Sequence, residues 1–112
     1  MNNLNSLILE GTVNGDVIFT ETENNTTCEL SIAVKRFYKN ENDEQSEEIS
    51  HFDVIAYGNT AKFCHDRAKN GMGIRVVGRL KENHYFDSDN NKHSKIVVLA
   101  EHIEYKHTPK KD

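Results

Sequence analysis

The stretch Gly71-Met72-Gly73-Ile74-Arg75-Val76-Val77-Gly78-Arg79-Leu80 decides how this chain is read. Successive side chains of an extended strand point to opposite faces, so Ile74, Val76 and Leu80 fall on one side and Arg75, Val77 and Arg79 on the other. One face is apolar; the other carries two guanidiniums. Gly78 interrupts the apolar face, where a glycine marks a bulge, a barrel corner or the close approach of another backbone. A strand bent there belongs to a small, strongly coiled sheet.

Upstream, Ala61, Cys64 and Ala68 recur at helical spacing within Thr60 to Lys69, with Asn59 as the expected N-cap and Asn70-Gly71 as the stop. Before this helix, Ile49 to Tyr57 alternates, with Phe52, Val54 and Ala56 inward and His51, Asp53, Ile55 and Tyr57 on the opposite face. Thr27 to Tyr38 alternates as cleanly, with Cys28, Leu30, Ile32 and Val34 inward. Between these strands Lys39 to Glu48 has no apolar residue and carries five acids, Glu41, Asp43, Glu44, Glu47 and Glu48. It is expected to be a solvated, mobile loop.

At the start of the chain, Leu4 to Val13 reads as a strand containing Gly11, followed by the turn dipeptide Asn14-Gly15 and by Val17 to Phe19, which continue the sheet. Downstream of Leu80 comes a polar hairpin that turns at Asp87 to Asn91, with Tyr85-Phe86 on its rising side. Lys95 to Tyr105 is the last strand, and its run Ile96 to Ala100 is apolar on both parities, as in a strand covered on both faces. Lys106 to Asp112 reads as a short, frayed basic tail.

Three strands, a helix and two strands, with mid-strand glycines at Gly11 and Gly78, predict an all-β fold: a five-stranded OB-fold Greek-key barrel with one α-helix between strands 3 and 4. An SH3-like barrel is the nearest rival, but it does not normally carry a helix at that point. Residues 1–105 form the expected domain.

Composition narrows the function classes. The chain has 112 residues, 36% hydrophobic and 29% charged, which suits one ordered soluble domain with its own core. Its two cysteines, Cys28 and Cys64, lack CxxC spacing, so a disulfide scaffold or zinc ribbon is not expected and a reducing cytoplasm is. No apolar run reaches membrane-spanning length, and the N-terminus lacks the pattern of a signal peptide, so no membrane partner is expected. The six histidines form no HExxH motif, and Cys64 and His65, being adjacent, cannot both face one ion from a regular helix; no metal or other cofactor is expected. There is no nucleophile elbow and no glycine run before a helix, so the chain does not read as an enzyme. A formal net charge of -4 does not advertise a polyanion ligand, and any such reading must rest on local patterning.

That patterning carries a resemblance. Asn3 to Gly11, Leu30 to Val34, Phe52 to Gly58 and Gly73 to Leu80, in this order and spacing, resemble the bacterial single-stranded DNA-binding protein family over nearly the whole chain. The resemblance implies a homotetramer of OB domains in the cytoplasm, associated with the nucleoid. It implies binding of single-stranded DNA with little sequence preference in replication, recombination and repair, through stacking on aromatic rings and cationic contacts to phosphate. By the motifs, the stacking positions fall on Tyr38, His51, Tyr57 and Tyr85, where relatives often carry tryptophan or phenylalanine; this chain has no tryptophan. With Lys35, Arg36, Arg75, Arg79 and Lys81 they make a nine-residue candidate surface. Phe37 and Phe63 read as core or subunit-interface residues instead.

Two departures stand out. Full-length relatives continue into a flexible linker and an acidic tip that recruits partner proteins, whereas this chain ends at Lys110-Lys111-Asp112, so tail-dependent partners are not expected of the chain as given. The acidic segment Glu41 to Glu48 lies where relatives often help to cradle the strand. That segment favours the alternative reading, an OB-fold protein-interaction module of the primosomal type with weak nucleic-acid binding. A nuclease on a similar barrel, the third reading, would need clustered carboxylates and a metal.

Overall fold

In the computed structural model, which describes residues 1–106, the chain runs β1 (Leu7–Val13), β2 (Ile18–Glu21), β3 (Thr26–Lys39), β4 (Gln45–Tyr57), α1 (Gly58–Arg67), β5 (Gly73–Phe86) and β6 (Lys92–Tyr105). The strands line up in the order β1-β5-β6-β4-β3-β2, and β1 also pairs with β3 through Thr12 and Val13, which closes five of the six into a barrel. The short β2 is an annex on β3, and α1 lies between the third and fourth barrel strands. All pairings are antiparallel except β4 with β6, which run parallel at Val54–Val98 and Ile55–Leu99. This is the OB-fold expected from the alternation.

The core is built by the alternating residues. Ile32, Ile74, Val13, Val54, Val76 and Val98 are each under 2% or at 2% exposed, with Cys28 and Cys64 at 0%. Where β4 meets β6, Ile55 and Val97 are also buried although they have the opposite parity, so the sheet is apolar on both sides there. No helix among the described residues is long and apolar enough to cross a membrane.

The β5–β6 ladder pairs Val77 with His102 but Gly78 with Ala100, so Glu101 is the extra residue of a β-bulge. The bulge switches the inward parity of β6 from Val98 and Ala100 to Ile103, which bends the strand around the barrel. A Cβ on Gly78 would fall inside the contact radius of the Leu99 carbonyl oxygen and 3.0 Å from its carbonyl carbon. Gly11 is similar: a Cβ there would lie 2.5 Å from the Ala33 carbonyl oxygen. Both glycines therefore serve close backbone approach between barrel strands.

Several boundaries differ from expectation for physical reasons. The acidic loop shrinks to Asn40–Glu44, because β3 and β4 stay paired out to Lys39 and Gln45, with Glu47 opposite Phe37 and Glu48 opposite Arg36. The Asn40 side chain closes the tip, its Oδ1 accepting the N–H groups of Asn42 and Glu44 at 3.0 Å each. Apolar alternation reports burial, and an exposed hairpin can pair its backbone without it. Asn59 is not the N-cap: the chain turns straight from β4 into α1, so Tyr57 holds that position without a side-chain cap and Asn59 is already in the first turn. Asn70-Gly71 serves β1 instead of capping the helix, with Gly71 N–H donating to Val13 O at 2.8 Å and Gly15 N–H to Asn70 Oδ1 at 2.9 Å.

Leu80 and Phe52 were expected on the inward face, and both keep that parity but stand 49% and 37% exposed. They lie where the two hairpins leave the barrel and splay apart, so no facing strand covers them. Phe37 and Phe63 are 60% and 53% exposed and are not core residues. Of the expected basic tail only Lys106 falls within the described residues.

Burial has a chemical consequence for the cysteines. Both thiols are free, and loss of hydration pushes Cys28 up to about 12 and raises Cys64 as well, the two sitting side by side. Neither thiol should react with an aromatic disulfide reagent at pH 8 until the chain unfolds. Prompt release of thiolate from the native protein would contradict this packing.

Candidate nucleic-acid interface

The long β5–β6 hairpin sets the geometry. On β5, Arg79, Lys81, Asn83 and Tyr85 share one parity and lie opposite Leu99, Val97, Lys95 and His93 of β6. At about 3.4 Å per residue these β5 side chains recur every ~7 Å along one face. Because β4 runs beside β6, its outward residues His51, Asp53 and Tyr57 extend the same face.

Two contacts tie this surface together. Lys81 Nζ lies 5.2 Å from the centroid of the Tyr57 ring and 3.4 Å from its hydroxyl, so a cation and a stacking ring from different strands meet. Lys95 Nζ reaches Asp53 Oδ2 at 3.4 Å. Arg79 has only a loose contact to Glu101, 3.9 Å, and stays half exposed. Farther out, Tyr85 stacks on His93 with ring centroids 5.4 Å apart and planes at 22°. His93 Nε2 is 2.6 Å from Asp87 Oδ2.

The structure does not bring all nine candidate residues to one face. Lys35 lies opposite Ile49 and shares the outward parity of His51 and Tyr57, whereas Arg36 and Tyr38, opposite Glu48 and Ser46, project from the other face of the same hairpin. Arg75 differs most. It sits beyond the Gly78 bend, and its guanidinium is held between Glu10 at 3.3 Å and Glu104 at 3.2 Å, while Lys106 Nζ contacts the same Glu10 oxygen at 2.6 Å. The Lys106 and Arg75 charges hold the Glu10 carboxyl below the usual carboxylate range. Arg75 thus belongs to an ion-pair cluster with Glu10, Glu104 and Lys106 on the β1 side.

Residues 4–106 match the model of the single-strand binding protein family. The chain belongs to that family. It is 34% identical over 108 residues to a single-stranded DNA-binding protein of Aquifex aeolicus, covering 96% of this chain and 73% of that one. It is 32% identical over 109 residues to single-stranded DNA-binding protein 1 of Clostridium acetobutylicum, covering 96% and 97%. A solved structure titled Plasmodium falciparum SSB complex with ssDNA superposes with a TM-score of 0.84 at 14% identity, over 96% of this chain and 98% of that one, and shares its fold.

Within this family member, sequence reasoning missed three features. One is the groove between the splayed hairpins, where Phe52, Leu80 and Ile96 are open to solvent beside His51. Another is Asn5, whose side-chain amide donates to Leu80 O at 2.8 Å and accepts from Leu80 N–H at 3.0 Å, extending the β1–β5 ladder beyond its last backbone pair. The third is His93, whose position opposite Tyr85 was readable from the turn: a loop of Asp87 to Asn91 centres the hairpin on Asp89. Among the described residues, no group of three or more His, Cys, Asp or Glu side chains is placed to hold a metal ion.

The Asp87 turn carries a pH dependence. Hydrogen bonds, first from His93 and then from the backbone at Asn91, hold the Asp87 carboxyl below the usual carboxylate range. A depressed carboxylate contributes order that is present above the ordinary carboxylate pKa and is lost as pH falls through its own lower value. Amide exchange at Asp89 and Asn91, whose N–H groups donate to Asp87 Oδ1 at 2.9 Å each, should therefore be protected at pH 6 and lose protection as pH drops below about 4. Equal protection at pH 6 and pH 2.5 would contradict this.

Proposed function

We propose that this chain is a non-catalytic, cytoplasmic protein that binds single-stranded DNA with little sequence preference, coating exposed strands during replication, recombination and repair. The observation that carries the reading is the face on which Arg79, Lys81 and Tyr85 recur along β5 and Lys81 meets the Tyr57 ring from β4. Cations at two-residue spacing suit phosphates, and rings beside and beyond them suit bases that every sequence supplies. The names of its relatives at 34% and 32% identity support it. Lys35 and His51 extend this surface from the β3–β4 hairpin, and Arg36 and Tyr38 serve a strand that crosses to the hairpin's other face. Residues 1–105 act as one binding domain.

The functional unit is a homotetramer. Ile8, Phe37, Phe63 and Phe86 are each more than half exposed and are available for burial between subunits.

Anisotropy titration of a labelled oligo(dT) tests the function. Binding should be tight at low salt and weaken steadily as salt rises, with a slope of about 0.7 per phosphate contacted, and an equally long duplex should compete poorly. A folded sample that fails to bind oligo(dT) at low salt would overturn the reading. Native mass spectrometry should report four subunits, and a monomer at micromolar concentration would remove the tetramer.

A further inference from the structure

We propose that His93 is a second base-stacking residue, forming with Tyr85 a two-ring platform at the outer end of the β5–β6 hairpin that Asp87 holds in place. The inference rests on the single-strand binding function proposed above and adds to it a residue outside the nine-residue surface.

Tyr85 and His93 are directly opposed across the ladder, so their Cβ atoms rise from the same face as Arg79 and Lys81. Their planes are within 22° of parallel and their centroids 5.4 Å apart, a stacked pair. Tyr85 is 47% exposed and the His93 side chain 46%, so both rings keep open surface. Each ring thus keeps open surface for a base while its partner backs it, in a chain without tryptophan.

What distinguishes this pair from two exposed rings is that one of them is anchored. A histidine ring normally turns broadly about χ2. Here Asp87 Oδ2 holds Nε2 at 2.6 Å, and Asp87 is itself held, its Oδ1 accepting the N–H groups of Asp89 and Asn91 at 2.9 Å. An ionised carboxylate only accepts, so Nε2 carries the hydrogen, and in the neutral ring Nδ1 remains an acceptor. A ring fixed before the base arrives loses less freedom on binding. Asp87 is therefore a positioning residue, and His93 the group that touches the base.

The test is anisotropy titration of the full chain with labelled oligo(dT) at fixed salt, with unfolding monitored for every variant. His93→Ala should weaken binding about tenfold, as should Tyr85→Ala. His93→Phe, which restores a flat ring without the carboxylate contact, should recover most of that loss. Asp87→Ala should weaken binding about threefold, and Asp87→Asn, which keeps an oxygen for the turn and a hydrogen-bonding edge for the ring, should restore it. The ring protons of His93 should shift in NMR spectra when oligo(dT) is added to the unsubstituted protein. Three results overturn the proposal: His93→Ala binding as the unsubstituted protein does while Tyr57→Ala is impaired, His93→Phe failing as badly as His93→Ala, or His93 ring protons that do not shift. The first of these leaves single-strand binding intact, whereas failure of the unsubstituted protein to bind removes both readings.

Discussion

Replacing Gly78 by alanine should lower the melting temperature by roughly 12 °C, the largest stability change expected from adding one methyl group to this chain. The added carbon would overlap the Leu99 carbonyl oxygen and lie 3.0 Å from its carbon and 3.3 Å from Ala100 Cα. All three are backbone atoms of β6, so no side-chain rotation relieves the overlap and the two strands must move apart at the bulge. Overpacking of this kind costs about 3 kcal/mol, at the upper end of its usual range. Gly11→Ala meets the Ala33 oxygen at 2.5 Å and should cost less. Thermal unfolding at one fixed protein concentration, which an oligomer requires, measures both. A Gly78→Ala protein as stable as its parent would mean that the bulge is not where the barrel closes.

The double substitution Tyr57→Ala, Lys81→Ala should cost the largest share of DNA affinity, about 30-fold, with Tyr57→Ala alone near tenfold. The range measured for single-strand binding folds is roughly 1 to 3 kcal/mol per stacked base, and a tyrosine in place of a larger ring falls toward its lower end. Removing Lys81 should also reduce the salt slope by about 0.7, the signature of one lost phosphate contact. The ring and the ammonium touch, so the double loss should be smaller than the product of the single losses. Arg75→Ala is the informative comparison. Its guanidinium is held by Glu10 and Glu104 on the β1 side, six residues along β5 from Lys81, so its removal should change affinity by less than about twofold. Oligo(dT) titration across a salt series reads all of these. If Arg75→Ala weakened binding more than the double substitution did, the placement of the interface on the Tyr57–Lys81 face would be wrong.

The candidate interface was legible in parts. Alternation puts Lys35 on the opposite face from Arg36 and Tyr38, and the geometry agrees with that parity; what fails is the pooling of all three on one surface. Arg75 and Arg79 have the same parity and look equivalent in the sequence. They part company because β1 and β6 bring Glu10 and Glu104 beside one of them, across 65 and 29 residues of chain. No local pattern reports a carboxylate that distant. The acidic tip was misread for another reason: hydrophobic periodicity detects burial, and the paired residues Glu47 and Glu48 are exposed.

By itself, the sequence determined which segments alternate, that glycines at Gly78 and Gly11 interrupt barrel strands, and that Asp87 to Asn91 turns the last hairpin. These are properties of one to ten neighbouring residues, and steric and hydrogen-bonding rules act on them directly. Only the tertiary structure decided how far the hairpins reach beyond the barrel and which cations are held in ion pairs. It also decided that the inward-pointing Phe52 and Leu80 end up in the open. Each of those outcomes depends on what a strand finds opposite it after the barrel closes, and closure joins residues whose separation along the chain carries no record of the contact.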